Sequence, residues 1–335
     1  MHVHAVCPLS MNLLIITAAS LVALTRAGGA LQDLEFQKWK LMYGRSYNSP
    51  EEEARRKLTW LDNYRSILVH NVQADQGLRT YRLGLNQFAD MNKQEYRKTH
   101  RLLTNSTKVH HGTEFTRRKW RGELPDAVDW RKTGCVSAVQ DQGGCNSALA
   151  FGFVGALECQ NFLETGVLAA LSVQQLIDCC WACIRASVPM YVECIQSYGG
   201  IDTEESYPFE GTPGDCRFNP KTIGGTCSGY ALMTPGNEDA LQEAVALVGP
   251  VIAFIDASHP SFQFYQSGVY YEPNCSSTEV DHVVLVVGYG QEDGQDYWLV
   301  KNSWGTFWGE KGYMKMARNR SNMCGIASDA GCPKA

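Results

Sequence analysis

Apart from one apolar run near the N-terminus, this chain has no segment long and apolar enough to cross a bilayer. That run, Leu13 to Leu24, is about a dozen residues, short of the roughly 20 a span requires. No Lys or Arg precedes Met11, which leaves Met11 a candidate initiator. Cys and His nowhere take clean zinc spacing. Cys179-Cys-Trp-Ala-Cys183 has no partner pair, so no metal site is expected, and no cofactor or nucleic-acid partner either. Charged residues make up only 19% of the chain and hydrophobic ones 44%, which excludes a disordered polar chain.

Cysteine, in contrast, is abundant. Thirteen in 335 residues favour an oxidising compartment with disulfides as their main use. The apolar run is followed by Thr25-Arg26-Ala27-Gly28-Gly29-Ala30, a small-residue cleavage zone, so residues 1–29 are expected to be a secretory signal peptide. Asn105-Ser-Thr, Asn274-Cys-Ser and Asn319-Arg-Ser are glycosylation sequons. The implied destination is the lysosome or the extracellular space.

The net charge of −5 hides a division. Residues 27–123 carry 18 Lys and Arg against 11 Asp and Glu, a net of +7. Residues 124–335 carry 11 against 24, a net of −13. The two parts attract, and acidification should weaken the attraction by protonating carboxylates.

Within the basic part, residues 51–71 place Leu58, Leu61, Ile67 and Leu68 at helical spacing. Pro50 and Glu51 to Glu53 supply the start signals of a helix. Glu52, Arg56, Trp60, Asn63, Ile67 and Asn71 form an E-x3-R-x3-W-x2-N-x3-I-x3-N pattern, and Gly84, Asn86, Phe88 and Asp90 form G-x-N-x-F-x-D. Both patterns resemble the prosegment of cathepsin L-like proteases. The resemblance implies a small helical domain over residues 30–123 that serves as chaperone and inhibitor of residues 124–335. Its tail would run through the active-site cleft against the direction of substrate. The polar, basic linker from Asn105 to Arg121 is expected to be exposed and cleavable.

Gln142-Gly-Gly-Cys-Asn-Ser-Ala148-Leu-Ala-Phe151 resembles the active-site segment of papain-family cysteine proteases, Q-G-x-C-G-S-C-W-A-F, without a gap. The family's nucleophilic cysteine falls on Ala148. Such an enzyme needs a thiolate, a histidine to activate it, a group to orient the histidine and donors for the oxyanion. His282, 134 residues beyond Ala148, sits in a segment like the family's histidine segment. Asn302, in Lys301-Asn-Ser-Trp304-Gly, matches the orienting asparagine, with Trp304 as its shield, and Gln142 matches the oxyanion donor. Three of four parts are present and the nucleophile is not. Ser147 is a poor substitute, since adjacent helical residues do not face the same way.

Ala148 does not stand alone. Asn146 and Leu149 replace an expected Gly and Trp, Arg185 and Ala186 replace two glycines, Val283 replaces a third, and Phe254 replaces a small pocket residue. Arg185, Ala186, Phe254 and Val283 all add bulk to the expected substrate cleft. An engineered knockout changes one residue, so natural loss of activity is the expectation.

The resemblance also implies the pairs Cys145–Cys183, Cys179–Cys216 and Cys275–Cys324. Cys180 competes with Cys179 for its partner, and the pairing of Cys135, Cys159, Cys180, Cys194, Cys227 and Cys332 stays open. Strands are expected at Val251–Asp256, Val283–Gly288, Tyr297–Lys301 and Gly312–Ala317, after a region that mixes helices with disulfide-bearing loops. The implied fold is α+β, a papain-like pair of domains, one helical and one an antiparallel barrel, behind a helical propeptide. The expected function is that of a cathepsin L-like protease homologue, inactive as a peptidase, with a binding or regulatory role. The alternatives are an active cysteine endopeptidase and a structural or matrix protein. A monomer is expected, with its own propeptide in the cleft and peptides or proteins as other ligands.

Overall fold

The computed structural model describes residues 29–100, 113–114, 122–183 and 187–335. The expected leader, up to residue 28, falls outside these residues, as do Asn105, Arg185 and Ala186. The chain divides into two compact units, residues 1–65 and 66–335.

The first unit holds α1 (residues 29–42) and the start of α2 (Pro50–Asp75). The Ser49 hydroxyl accepts from the Glu52 N–H at 3.2 Å, while a Glu52 carboxylate oxygen accepts from the Asn48 N–H at 3.1 Å. Such exchange of backbone and side-chain bonds fixes a helix start. Trp60 is fully buried, edge-on to Phe36 at 5.5 Å and stacked on Tyr64 at 5.1 Å. The tryptophan of the interspersed motif is thus a core residue of this unit.

The second unit continues with β1 (Tyr81–Leu83), α3 (Lys93–His100), β2 (Thr113–Glu114) and β3 (Val128–Asp129). Three helices follow, α4 (Ala148–Thr165), α5 (Val173–Cys180) and α6 (Val188–Tyr198), and then the two-stranded pair β4 (Ile201–Asp202) and β5 (Ile223–Gly225). The rest is mainly strand: β6 (Gly229–Leu232), α7 (Glu238–Leu247), β7 (Val251–Ile255), α8 (Pro260–Gln263), β8 (Tyr265–Tyr270), β9 (His282–Glu292), β10 (Gln295–Lys301), β11 (Tyr313–Ala317) and β12 (Ala330–Lys334). One large sheet runs β1-β8-β11-β10-β9-β7-β12-β6-β2, with β3 also on β9. It is antiparallel except at β11–β8 and β2–β6. Helices with disulfide-bearing loops come before most strands of this mainly antiparallel sheet, the α+β arrangement.

The helix starts are chemically set. Ser172 caps α5 and Asn237 caps α7 through side-chain oxygens that accept from Gln175 N–H and Ala240 N–H. Strand β9 is the sheet's central element. Its first nine residues are all buried, because β7 and β10 flank it and α4 packs on its face. The helix can come that close because glycine faces the sheet. A Cβ on Gly155 would lie 2.9 Å from a methyl of Leu285, and one on Gly152 would lie 3.2 Å from a methyl of Val283.

Five disulfides staple this unit: Cys135–Cys159, Cys145–Cys183, Cys179–Cys216, Cys180–Cys194 and Cys275–Cys324. Cys227 and Cys332 are buried free thiols. Burial pushes them up to about 11 and about 12, so neither ionises near neutral pH.

Candidate active site

Helix α4 opens on Ala148, which is 1% exposed. Ser147 stands in the capping position without making a side-chain cap bond; its hydroxyl donates to the Cys145 carbonyl at 3.3 Å instead. The first N–H groups of the helix therefore keep their positive end uncompensated by a cap. Cys145 is tied to Cys183, so the thiol three residues before Ala148 is spent.

His282 begins β9 opposite Ile255 of β7 and is 1% exposed. Its Nε2 lies 2.8 Å from Asn302 Oδ1. That oxygen also accepts from the Ser303 N–H at 2.8 Å. A carbonyl oxygen only accepts, so Nε2 carries the proton and the neutral ring has its lone pair on Nδ1. Asn302 follows the end of β10 and is pinned by its own N–H to the Gly312 carbonyl at 3.0 Å.

Gln142 is buried and held at both ends. Its Nε2 donates to the Cys145 carbonyl at 3.2 Å, and its Oε1 accepts from the Ser303 hydroxyl at 2.7 Å. Its backbone N–H donates to the Ser303 carbonyl at 2.9 Å. Gln142, Ser303, Asn302 and His282 thus form one hydrogen-bonded chain. Trp304 covers it, its ring 4.6 Å from the imidazole. Phe262 stands 5.5 Å from Trp304, edge to face.

Prosegment residues close the other side of Trp304. Phe88 and Tyr96 meet it edge-on at 5.3 and 5.9 Å, and Gln87 donates to its carbonyl at 2.7 Å. The G-x-N-x-F-x-D pattern gains a physical reading here. Gly84 N–H donates to the Phe264 carbonyl at 2.8 Å. Asn86 donates to the Gln263 carbonyl at 2.7 Å and accepts from Phe88 N–H at 3.0 Å. Asn71, from the preceding pattern, holds β1 by exchanging two bonds with the Leu83 backbone, at 2.8 and 3.0 Å.

Beneath Ala148 lies a cavity of about 20 Å³, room for one water, lined by Ala148, Ser137, Glu158, Lys301, Asn302 and Ser303 among others. Glu158 is buried and accepts from the Ser137 hydroxyl at 2.5 Å and the Leu171 N–H at 2.9 Å. Lys301 donates to the Ser137 carbonyl at 2.9 Å and to its hydroxyl at 3.2 Å. Burial raises the Glu158 carboxyl above its ordinary range, and the Lys301 charge pulls it back. Burial lowers the Lys301 ammonium, and Glu158 opposes that. The two are a buried charge pair bridged by a serine.

The other sequence-derived positions are less concentrated. Phe254 and Val283 pair across β7 and β9, 2% and 1% exposed. Asn274 and Asn319 are both exposed; their amides donate to Glu272 at 3.2 Å and Asp296 at 2.8 Å. The sequence reading missed Ser303 and the Glu158–Lys301 pair. A signal for the pair was present, since Glu158 is the lone charge in the apolar run Ala148 to Cys159. Among the described residues no group of three or more His, Cys, Asp and Glu could hold a metal ion.

Similarity to known proteins agrees with this layout. Residues 124–334 match the family model described as papain family cysteine protease, and residues 36–96 match the cathepsin propeptide inhibitor domain. The chain is 46% identical over 304 residues to digestive cysteine proteinase 1 of Homarus americanus, covering 89% of this chain and 94% of that one. It is 45% identical over 331 residues to a cathepsin L-like peptidase of Aedes aegypti, covering 93% and 98%. The structure of digestive procathepsin L 3 from Tenebrio molitor larval midgut superposes with a TM-score of 0.84 at 39% identity, covering 91% of this chain and 99% of that one. With both domains matched and the fold shared, this chain belongs to the papain family of cysteine proteases as a cathepsin L-like homologue that carries a cathepsin propeptide domain.

Proposed function

We propose that this chain has lost peptidase activity and acts by binding, through its cleft or surface, rather than by hydrolysis. The observation that carries the proposal is Ala148 at the first turn of α4, in the position of the family's nucleophile. A methyl group has no lone pair and no proton to give up. Removing the nucleophile of a triad costs on the order of 10⁶ in turnover in a well-studied protease. Cys145 is bonded to Cys183, and the free thiols precede β6 or lie in β12 with raised pKa values. Phe254 and Val283 would narrow the substrate cleft further. In this reading His282 is the retired base, Asn302 its orienting partner and Gln142 the former oxyanion donor.

The same reading takes residues 1–29 as a signal peptide, 30–123 as the propeptide and 124–335 as the peptidase-family domain. Five disulfides support passage through an oxidising secretory compartment, toward a lysosomal or extracellular destination, with Asn274 and Asn319 as exposed glycan acceptors. Without autocatalysis, removal of the propeptide falls to another protease.

The rival reading is an active cysteine endopeptidase, which the intact chain from Gln142 to His282 favours. Intact-mass analysis after treatment with a thiol-alkylating epoxide of the kind that labels papain-family nucleophiles separates the two. The expected result is no adduct on acid-treated, propeptide-free protein. A stoichiometric adduct that forms only in the folded state would overturn the proposal.

A further inference from the structure

Two sequons of the second unit are joined by one disulfide, and the fold treats them differently. Cys275 is the middle residue of Asn274-Cys-Ser276, and its bond runs to Cys324, five residues beyond Asn319. The Asn274 N–H and its side-chain amide both donate to Glu272 Oε1, at 3.1 and 3.2 Å. The Ser276 N–H donates to Asp256 Oδ2 at 2.7 Å. The Ser276 hydroxyl accepts from the Thr278 and Glu279 N–H groups, at 3.1 and 2.8 Å. The disulfide anchors this turn from below. Cys324 is fully buried, and its carbonyl accepts from the Asp256 N–H at 2.9 Å. Its neighbour Met323 accepts from the Glu272 N–H through Sδ at 3.3 Å. All three residues of the first sequon are therefore engaged once the bond is closed.

The second sequon is open by comparison. The Asn319 N–H and side-chain amide donate to Glu238 and Asp296, each at 2.8 Å, but Asn319, Arg320 and Ser321 are all exposed. Glycan transfer to such a motif uses the asparagine amide and the hydroxyl two residues on. The amide nitrogen displaces a lipid diphosphate from the anomeric carbon of an oligosaccharide. An N–C bond forms, a C–O bond breaks, and the amide gives up one proton.

We propose that the Cys275–Cys324 bond gates glycosylation of Asn274, so that this asparagine takes a glycan only while Cys275 is unpaired. An unpaired Cys275 leaves the amide of Asn274 and the hydroxyl of Ser276 free of the turn. Cys275 has no partner until residue 324 is made, an interval of roughly 2–10 s for a sequence separation of 49. Closure then takes seconds or longer, so transfer and closure compete on one timescale. Every molecule that closes the bond first keeps Asn274 bare. The gate rests on passage through the secretory pathway and does not depend on residue 148.

Site occupancy tests the gate, read by mass spectrometry after enzymatic deglycosylation in heavy-oxygen water, on the full chain expressed in secreting eukaryotic cells. Cell-associated and secreted protein are pooled, so a variant that misfolds is still scored. Cys324→Ser keeps the Asn274 sequon and removes the partner of Cys275. We expect it to raise Asn274 occupancy at least about threefold over wild type, because the competing closure is gone. A membrane-permeant dithiol should do the same to the wild type. Cys194→Ser opens the Cys180–Cys194 bond instead and should leave Asn274 at its wild-type level. Wild-type occupancy in Cys324→Ser overturns the proposal, as does an equal rise in Cys194→Ser or at Asn319. Removal of residues 1–29, read in the same spectra, separates the two readings. With the leader gone and Asn274 unmoved, the gate alone is wrong; with the leader retained, the secretory reading fails and the gate with it.

Discussion

Replacing Lys301 by Met should destabilise the second unit by about 3–5 kcal/mol, the cost of leaving a buried charge without its partner. Lys301 and Glu158 are both buried, and Ser137 bridges them. The shifts of both groups have burial as their largest cause, so the pair's mutual attraction does not fully repay its desolvation. Glu158 also accepts from Leu171 N–H, a bond that Gln can keep. Glu158→Gln combined with Lys301→Met should therefore recover most of the loss, a coupling of at least about 2 kcal/mol. The pH dependence has a definite sign. The Glu158 carboxyl is raised in the folded state, so its contribution falls as pH rises past the unfolded carboxyl range toward the folded value. The defect of Lys301→Met should shrink near pH 4.5 and grow toward pH 8. Calorimetry at one scan rate with disulfides intact, for wild type, both singles and the double, is the assay. A drop of roughly 6–20 °C is expected for Lys301→Met in a unit of this size. A drop below about 3 °C, or a double variant as unstable as the single, would refute the reasoning.

Other substitutions probe other links. Gly155→Ala places a methyl 2.9 Å from Leu285 and should cost about 1–3 kcal/mol through overpacking of α4 on β9; a neutral result in the same calorimetric assay would show that the seam has slack. Removing Cys275–Cys324, whose sequence separation is 49, should cost about 4 kcal/mol by chain entropy, measured as a lowered urea midpoint. Asn86→Ala removes a donor to the Gln263 carbonyl and an acceptor for Phe88 N–H. It should reduce hydrogen-exchange protection of residues 84–100 about 10- to 100-fold, equivalent to about 1–3 kcal/mol, with β9 protection unchanged.

The legible parts of the sequence were those with a strong local pattern. The helix expected over residues 51–71 is α2, because apolar spacing and the Ser49-Pro50 start act within a few residues. The four expected strands appear as β7, β9, β10 and β11. Strand β9 extends beyond its expected end because β10 returns beside it as far as Glu292, a pairing no local run announces. Long-range chemistry was harder to read. Cys135–Cys159 and Cys180–Cys194 could not be told from other pairings, since connectivity depends on the fold. Ser303 reads as an ordinary residue beside Asn302 until its hydroxyl is seen on Gln142. Residues in recurrent motifs had an expected place, whereas the buried role of Lys301 had none, because its meaning comes from Ser137 and Glu158.

Turnover of a fluorogenic dipeptide at acid pH by the propeptide-free protein tests the loss of activity most directly, with wild type, Ala148→Cys and His282→Ala measured side by side. The expected result is no wild-type turnover above the His282→Ala background and, with the proposed obstruction by Phe254 and Val283 unchanged, none from Ala148→Cys alone. Wild-type turnover that His282→Ala abolishes would contradict the proposed loss of activity, and turnover by Ala148→Cys alone would contradict the obstructed cleft.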